Sequence, residues 1–357
     1  MALSKLNNDS FADTAVHGQR NLIINGAMVI DQRNGGAAVS TNGSYPTDRW
    51  QLGISGGTWS VQQSTTTPDD FKNSTAVTIS TGYSKSASHQ NNIRQFIEGQ
   101  NLYDLNYGTS AAKTTTLSFW VRSSLTGTFA GSLMNSAYNR SYVFTYSISS
   151  ANTWEYKTIT IAGDTSGTWL TTNGVGIRLF FDLGSGSNYD ATAGAWSAGE
   201  YRRVSGAVDV VATTGATWQI TGVQLEVGKA TPFEHRSYGD ELARCQRYYQ
   251  KITGITSGNT NDGGFIAGTY WTSSKVFAPV QLNPTMRIAP TMGVSSIGNI
   301  AVLSSGNSDS ATGFSANGST NKYVEWELSG ISGTGGNGAW VRITGGSSNY
   351  IDFDAEL

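Results

Sequence analysis

The sequence predicts an all-β protein from its composition, its alternating apolar positions and its many turn-forming dipeptides. Of 357 residues, 43 are glycine, 11% are aromatic and only 13% are charged. Glycine, serine and threonine are weak helix formers, which disfavours a helical bundle, whereas the aromatic side chains can fill a buried core. We predict a jelly-roll β-sandwich at residues 21–236, a linking helix at 237–252 and a smaller C-terminal β domain at 253–357.

Residues 1–20 are polar and lack a hydrophobic period, so we predict an extended or weakly helical N-terminal arm. We interpret it either as a floppy terminus or as an anchor that becomes ordered against a partner. We expect no signal peptide, because the N-terminus has no apolar core of signal-peptide length, and no membrane insertion, because no apolar stretch reaches the roughly 18 residues of a membrane helix. The single cysteine excludes an intrachain disulfide and favours synthesis in a reducing cytoplasm.

Short apolar alternations separated by turn dipeptides predict the strands of the sandwich. Asn-Gly pairs such as Asn25-Gly26 and Asn34-Gly35 readily adopt the positive backbone dihedrals of tight turns. The predicted strands are 49–63, 75–80, 92–97, 115–122, 141–149, 154–161, 175–183 and 217–227. In one of them, Leu117 and Phe119 share a face and Trp120 lies on the other. About eight strands at this spacing favour a two-sheet sandwich of jelly-roll type.

A helical period interrupts the β pattern at residues 237–252. Leu242, Cys245 and Tyr249 fall on one face at i, i+3 and i+7, and Ser237 with Asp240 resembles a capping box. The three apolar-face residues are candidate oligomer contacts at a trimer axis, and the alternative is simple packing within one chain. Beyond the helix, further short strands are predicted at 264–271, 275–281, 300–304, 323–328, 340–344 and 350–353.

Charge and catalytic motifs exclude several classes of function. The net charge of -2 and the pI of 5.9 give no basic footprint for nucleic acid. The three histidines lie in unrelated segments without metal-ligand spacing, so we predict no metal and no cofactor. No nucleophile elbow is present, and we predict a non-enzymatic protein. A glycoside hydrolase needs only two carboxylates across a cleft, so glycoside hydrolysis stays an alternative. Its candidate acids, such as Asp182, Asp190 and Glu200, are scattered along the sequence.

Aromatic residues in polar, turn-rich segments are the positive signal for a binding function. Flat rings beside asparagine, aspartate and arginine suit sugars, because C–H faces stack on rings while hydroxyls take hydrogen bonds. The alternative is that these rings plug the open ends of the sandwich or make subunit contacts. The candidate glycan-binding residues are Tyr189, Trp196, Tyr201, Trp169, Tyr103 and Tyr107.

Several sequence segments, taken in chain order, carry a family resemblance. They are N-L-I-I-N-G-A-M at 21–28, T-D-R-W at 47–50, T-L-S-F-W-V-R-S-S at 116–124, 153–169, I-T-G-V-Q-L-E-V-G at 220–228, 230–249 and I-D-F-D-A-E-L at 351–357. Together they resemble a domain of tailed-bacteriophage fibre and appendage proteins. The strand set is also similar to jelly-roll carbohydrate-binding modules, which often carry a structural calcium, although no full ligand set for calcium is found here.

The resemblance implies a non-enzymatic virion protein, usually trimeric, that meets the host surface. Our first hypothesis is a tail-fibre adhesin that is assembled in the host bacterial cytoplasm. Its arm would contact other virion proteins, and a homotrimer would bind host glycan with raised avidity. The first alternative is a head-decoration or tail-connector protein without glycan binding. The second alternative is a polysaccharide depolymerase.

Overall fold

The computed structural model describes residues 20–254 and 266–357. The predicted N-terminal arm lies outside the described residues apart from Arg20. The predicted fold class is confirmed: in the described part of the chain, strands dominate and one α-helix is present. No described helix has the length and apolar character needed to cross a membrane. The chain divides into two compact units, residues 1–241 with Leu357 and residues 242–356. The finer domain limits given above stay predictions.

The first unit is a sandwich of two antiparallel sheets. Its strands in chain order are β1 (Gln51–Ile54), β2 (Thr58–Ser64), β3 (Ser74–Thr81), β4 (Asn91–Glu98), β5 (Thr115–Ser123), β6 (Gly127–Asn135), β7 (Arg140–Ile148), β8 (Glu155–Ile161), β9 (Val175–Asp182), β10 (Trp196–Ala198) and β11 (Thr217–Val227). The six-stranded sheet has the order β1-β4-β9-β6-β7-β10, and the five-stranded sheet has the order β2-β3-β11-β5-β8. Consecutive strands therefore often change sheet, as in a jelly roll.

Buried aromatic rings hold the two sheets together. Phe181 on β9 lies 5.0 Å from Phe119 on β5 and 5.8 Å from Trp218 on β11, measured between ring centroids. Trp50 lies 6.2 Å from the same Phe181. All four rings are fully buried, and tilted or edge-on contacts of this length are the favoured geometry for aromatic pairs. The inner face predicted by alternation is therefore the packed core.

One strand prediction is corrected by the structure, and two strands of the first unit, β6 and β10, were not predicted. The segment predicted as one strand at 49–63 forms two strands in different sheets, because Gly57 adopts a positive φ of 85° and turns the chain between β1 and β2. Strand β6 has no counterpart among the predictions. Its last seven residues are all buried, so the strand lacks the apolar-polar alternation by which a half-exposed strand is recognised.

The helix α1 (Tyr238–Gln246) is shorter than the predicted 237–252. Its start agrees with the predicted cap, since the Asp240 N–H donates to the Ser237 hydroxyl over 3.2 Å. It ends early because Tyr249 begins strand β12 (Tyr249–Thr253), which pairs antiparallel with the C-terminal strand. Tertiary strand pairing has overridden the helical period of the sequence.

The second unit contains a three-stranded and a seven-stranded sheet. Its further strands are β13 (Ile266–Thr272), β14 (Lys275–Gln281), β15 (Thr291–Val294), β16 (Ile300–Ser304), β17 (Asn307–Ser310), β18 (Gly313–Ser319), β19 (Tyr323–Ser329), β20 (Gly338–Ile343) and β21 (Tyr350–Asp354). The sheet orders are β12-β21-β15 and β17-β16-β20-β13-β14-β19-β18. The core of this unit contains Trp326, Val341 and Phe353.

Candidate functional site

Three of the predicted glycan-binding residues form one cluster of rings. Tyr107 lies 5.0 Å from Trp169 and 5.8 Å from Trp196, and the two indoles are 5.2 Å apart, all edge-to-face. The polar atoms of the rings are used within the chain, because Trp196 Nε1 donates to the Ala162 carbonyl over 2.6 Å and Trp169 Nε1 donates to the Ser166 carbonyl over 3.1 Å. These half-buried rings therefore cover one another and extend the core.

Tyr107 gives this packing a measurable signature. Burial raises the pKa of its phenol from 10.0 to about 12, against a smaller opposing effect of the hydrogen bond with Thr115. Between these two pH values the unfolded chain loses a proton that the folded chain keeps, so folding stability falls as the pH rises. We expect spectrophotometric titration to show a phenol that ionises near pH 12 and is absent from Tyr107→Phe. A normal titration of all tyrosines would contradict the buried packing of this ring.

The other three predicted residues are not members of this edge-to-face cluster. Tyr189 accepts a hydrogen bond from Gln90 Nε2 over 2.6 Å, and the Arg202 guanidinium lies 4.4 Å from its ring centroid. Tyr201 is half-buried beside Gly199. Tyr103 is 73% exposed and lines a cavity of about 30 Å³ together with Tyr107 and Trp169. Sugar binding by the six residues stays a prediction.

The candidate oligomer contacts are largely enclosed by their own chain. Cys245 is fully buried, and Tyr249 is buried in β12, where its hydroxyl donates to Asp352 Oδ2 over 2.9 Å. Leu242 is half-buried. The burial of Cys245 and Tyr249 favours the alternative of packing within one chain, and a trimer axis at these residues stays a prediction.

A larger open groove of about 830 Å³ lies on the outer face of the five-stranded sheet. We call it the aromatic groove; its lining residues are Asp69, Asp70, Phe71, Ser118, Trp120, Tyr156, Gly222, Ala230, Thr231, Pro232, Phe233 and His235. None of them belongs to the predicted glycan-binding set. The volume is within the usual range of ligand pockets, roughly 300–1,000 Å³.

The floor of the aromatic groove is a pair of rings on neighbouring strands. Trp120 on β5 lies directly opposite Tyr156 on β8, and their ring centroids are 5.4 Å apart at 48°. Both point outward because the adjacent Phe119 faces the core. Tyr156 is 44% exposed, more than any of the half-buried rings Tyr107, Trp169 and Trp196, which we call the Tyr107 cluster.

A second group of rings forms the wall. Phe71, Phe233 and His235 contact one another, with centroid distances of 5.1 Å, 5.3 Å and 4.9 Å. A bulge in β11 brings wall and floor together at Gly222, which has a φ of 62°. A Cβ at this position would lie 2.7 Å from Phe71 and 3.1 Å from Trp120, so a larger residue would push the two rings apart.

Buried polar contacts hold the wall segment, residues 228–236, against the sheet. Glu226 on β11 is fully buried and accepts hydrogen bonds from the Thr231 N–H over 2.9 Å and the Thr231 hydroxyl over 2.6 Å. Gln224 accepts a hydrogen bond from the Glu234 N–H over 2.8 Å. The wall is therefore fixed by charge-assisted bonds rather than by apolar packing alone.

Polar groups complete the aromatic groove. Asp69 and Asp70 are exposed at its margin, whereas Ser118 is buried and the Thr231 hydroxyl is donated to Glu226. Ring faces beside exposed carboxylates can hold a sugar ring by its C–H face and its hydroxyls together. The described residues contain no group of three histidine, cysteine or acidic side chains arranged to hold a metal ion.

No family model and no curated protein matches this chain. Three solved structures are similar to part or most of this chain. The enzymatically active domain of tailspike protein 4 of bacteriophage CBA120 is 14% identical, covers 58% of this chain and 21% of its own, and has a TM-score of 0.32. The family 11 carbohydrate-binding module of a cellulosomal cellulase of Clostridium thermocellum is 10% identical, covers 56% of this chain and 99% of its own, and has a TM-score of 0.27. The tandem CBM22 domain of Xyn10C from Paenibacillus barcinonensis is 9% identical, covers 91% of this chain and 98% of its own, and also has a TM-score of 0.27.

The matched part of this chain thus spans about a fifth of the tailspike structure.

Proposed function

We propose that this protein binds saccharides without catalysis, through the aromatic groove. The observation that carries the proposal is the open Trp120–Tyr156 floor, which is flanked by the wall of rings and bordered by two exposed carboxylates. An aromatic floor presents a flat, polarisable surface to the C–H face of a pyranose ring. Asp69 and Asp70 accept hydrogen bonds from sugar hydroxyls, and their negative charge favours a neutral saccharide over an acidic one in this groove.

The floor predicts a large loss of binding when Trp120 is truncated. We expect Trp120→Ala to weaken the binding of a saccharide, first selected on a glycan array, by tenfold or more. This is about the effect of removing an aromatic side chain from the centre of an interface. Isothermal titration calorimetry on the full chain provides the measurement, and thermal melting shows whether the variant is folded.

Trp196→Ala is the matched control, because Trp196 packs in the Tyr107 cluster and lies outside the aromatic groove. Loss of binding in Trp196→Ala with full binding in Trp120→Ala would transfer the site to the Tyr107 cluster. The release of reducing ends from a bound polysaccharide would instead support the depolymerase alternative. In the structure, two of its candidate acids, Asp182 and Asp190, pair with Arg203 at 3.6 Å and 3.4 Å.

We further propose that the protein acts on a phage virion as a homotrimeric tail-fibre adhesin that attaches to host glycan. The support for this role is the ordered set of phrases that resembles fibre and appendage proteins, such as residues 21–28 and 220–228. Analytical ultracentrifugation tests the trimer, and antibody labelling of intact virions tests the location. Labelling of the capsid would favour the head-decoration alternative.

A further inference from the structure

Three arginines gather on the outer face of the six-stranded sheet, the opposite face of the sandwich from the aromatic groove. We call Arg94, Arg178 and Arg202 the arginine cluster. Arg94 on β4 lies opposite Phe180 on β9, and Phe96 on β4 lies opposite Arg178. Arg94 and Arg178 are therefore diagonal neighbours on one face, and Arg202 reaches the same face above Phe180.

Aromatic rings hold two of these side chains in place. The guanidinium carbon of Arg178 lies 4.5 Å from the ring centroid of Phe96 and 4.2 Å from that of Tyr138. That of Arg202 lies 4.8 Å from Phe180 and 4.4 Å from Tyr189. Cation–π contacts of this length hold the two guanidinium groups in position. The rings offer no oxygen that could accept hydrogen bonds from the guanidinium N–H groups in these stacked positions.

The positive charge of the cluster is incompletely balanced. Within residues 20–254 and 266–357, Glu200 is the one carboxylate that pairs with these arginines, through Arg202. Burial, with the repulsion of neighbouring arginines as a smaller cause, lowers the pKa of Arg94 and of Arg178 from the usual 12.5. Repulsion between these like charges adds to the cost of burying the guanidinium groups, and a bound anion would reduce that cost.

Hydrogen-bond donors in the cluster also lack acceptors. Among the residues that the structure describes, no hydrogen-bond partner contacts the buried Nε atom of Arg178 or the buried Nε and Nη1 atoms of Arg202. Arg202 is only 1% exposed, so bulk water does not reach it freely. Arg178 Nη2 has a long contact of 3.4 Å to the Ser136 carbonyl, whereas Arg94 uses its Nε on Gln51 at 2.8 Å. Buried donors on charged groups are costly when they stay unpaired.

We propose that the arginine cluster binds an oxyanion group of a ligand, a carboxylate or a sulfate, as a site separate from the aromatic groove. A planar carboxylate can accept two parallel N–H bonds from one guanidinium while a second arginine neutralises the same charge. Tyr189 and Tyr138 border the cluster and would shield a bound carboxylate and its arginine partner from water. The site therefore selects acidic ligands, in contrast to the acidic margin of the aromatic groove.

Side-chain NMR of the full chain tests the proposal directly. We expect sodium glucuronate, added at constant ionic strength, to shift the Nε–Hε signals of Arg178 and Arg202 in a saturable way, while glucose leaves them unchanged. Sodium sulfate and sodium phosphate are run as separate arms that distinguish a carboxylate site from one for tetrahedral oxyanions.

Arg94→Gln is the test variant, and we expect it to weaken the binding of the preferred anion about tenfold. Arg122→Gln is the matched control, because Arg122 lies on the five-stranded sheet and donates to the Asn152 carbonyl and Gln219. Trp120→Ala should leave anion binding unchanged, which separates this site from the aromatic groove. Absence of saturable shifts with every anion, or equal affinity in Arg94→Gln, would overturn the proposal and assign the buried donors to structural water.

Discussion

Replacing Asn25 with alanine is expected to lower the free energy of unfolding of the first unit by about 3 kcal/mol or more. The Asn25 side chain is completely buried, and its Nδ2 donates to the Ile30 carbonyl over 2.8 Å and to the Asp48 carbonyl over 2.9 Å. Its Oδ1 accepts from the Ile30 N–H over 3.0 Å. Alanine would leave the buried Ile30 N–H and Asp48 carbonyl unpaired, whereas the Ile30 carbonyl would keep its bond from the Asp48 N–H. It would also occupy a left-handed conformation, φ 57°, that asparagine tolerates better.

Urea unfolding followed by tryptophan fluorescence provides the measurement, with the two units fitted as separate transitions. Asn188→Ala is the control, because Asn188 is exposed and its side chain makes no hydrogen bond among the described residues. We expect the control to change stability by less than about 0.5 kcal/mol. An equally small effect of Asn25→Ala would show that the N-L-I-I-N-G phrase has a role other than holding the fold.

The fold class could be predicted because strands with one solvated face alternate visibly. Phe119 and Trp120 are assigned to opposite faces by sequence alone, and the structure places the first in the core and the second in the aromatic groove. The alternation fails where both faces are buried, as in β6, and where a glycine turn joins two strands of different sheets, as between β1 and β2.

The position of the aromatic groove could not be predicted from the sequence. It depends on the register that sets Trp120 opposite Tyr156 and on a wall segment more than 70 residues further along the chain from Tyr156. The signal that was available is the outward-facing Trp120. The Tyr107 cluster is the opposite case. Its rings lie in polar segments, which predicted a binding role, and only the three-dimensional structure shows that the two indole N–H groups donate to carbonyls of the same chain.

Glu226 links the stability of the sandwich to the shape of the aromatic groove. Its Oε1 accepts from Gln224 Nε2 over 2.7 Å as well as from the Thr231 N–H, and Arg20 forms an ion pair with it at 3.6 Å. The carboxylate is thus the common acceptor for strand β11 and for the wall segment. Removing one member of such a buried charged network leaves its partners without acceptors.

We expect Glu226→Ala to destabilise the first unit by about 3–5 kcal/mol and to release residues 228–236 from the sheet. Because Pro232 and Phe233 would leave the wall, saccharide binding should fall even where the variant is folded at low temperature. In hydrogen exchange measured by mass spectrometry, exchange should rise by a larger factor in residues 228–236 than in β6, where it follows only the global loss of stability of the first unit. Thr231→Val is the matched control, since it removes the 2.6 Å hydroxyl bond and keeps the backbone bond to Glu226, so its effects should be about a third as large. Native exchange and full binding in Glu226→Ala would show that apolar packing alone holds the wall, and that the groove does not depend on this buried carboxylate.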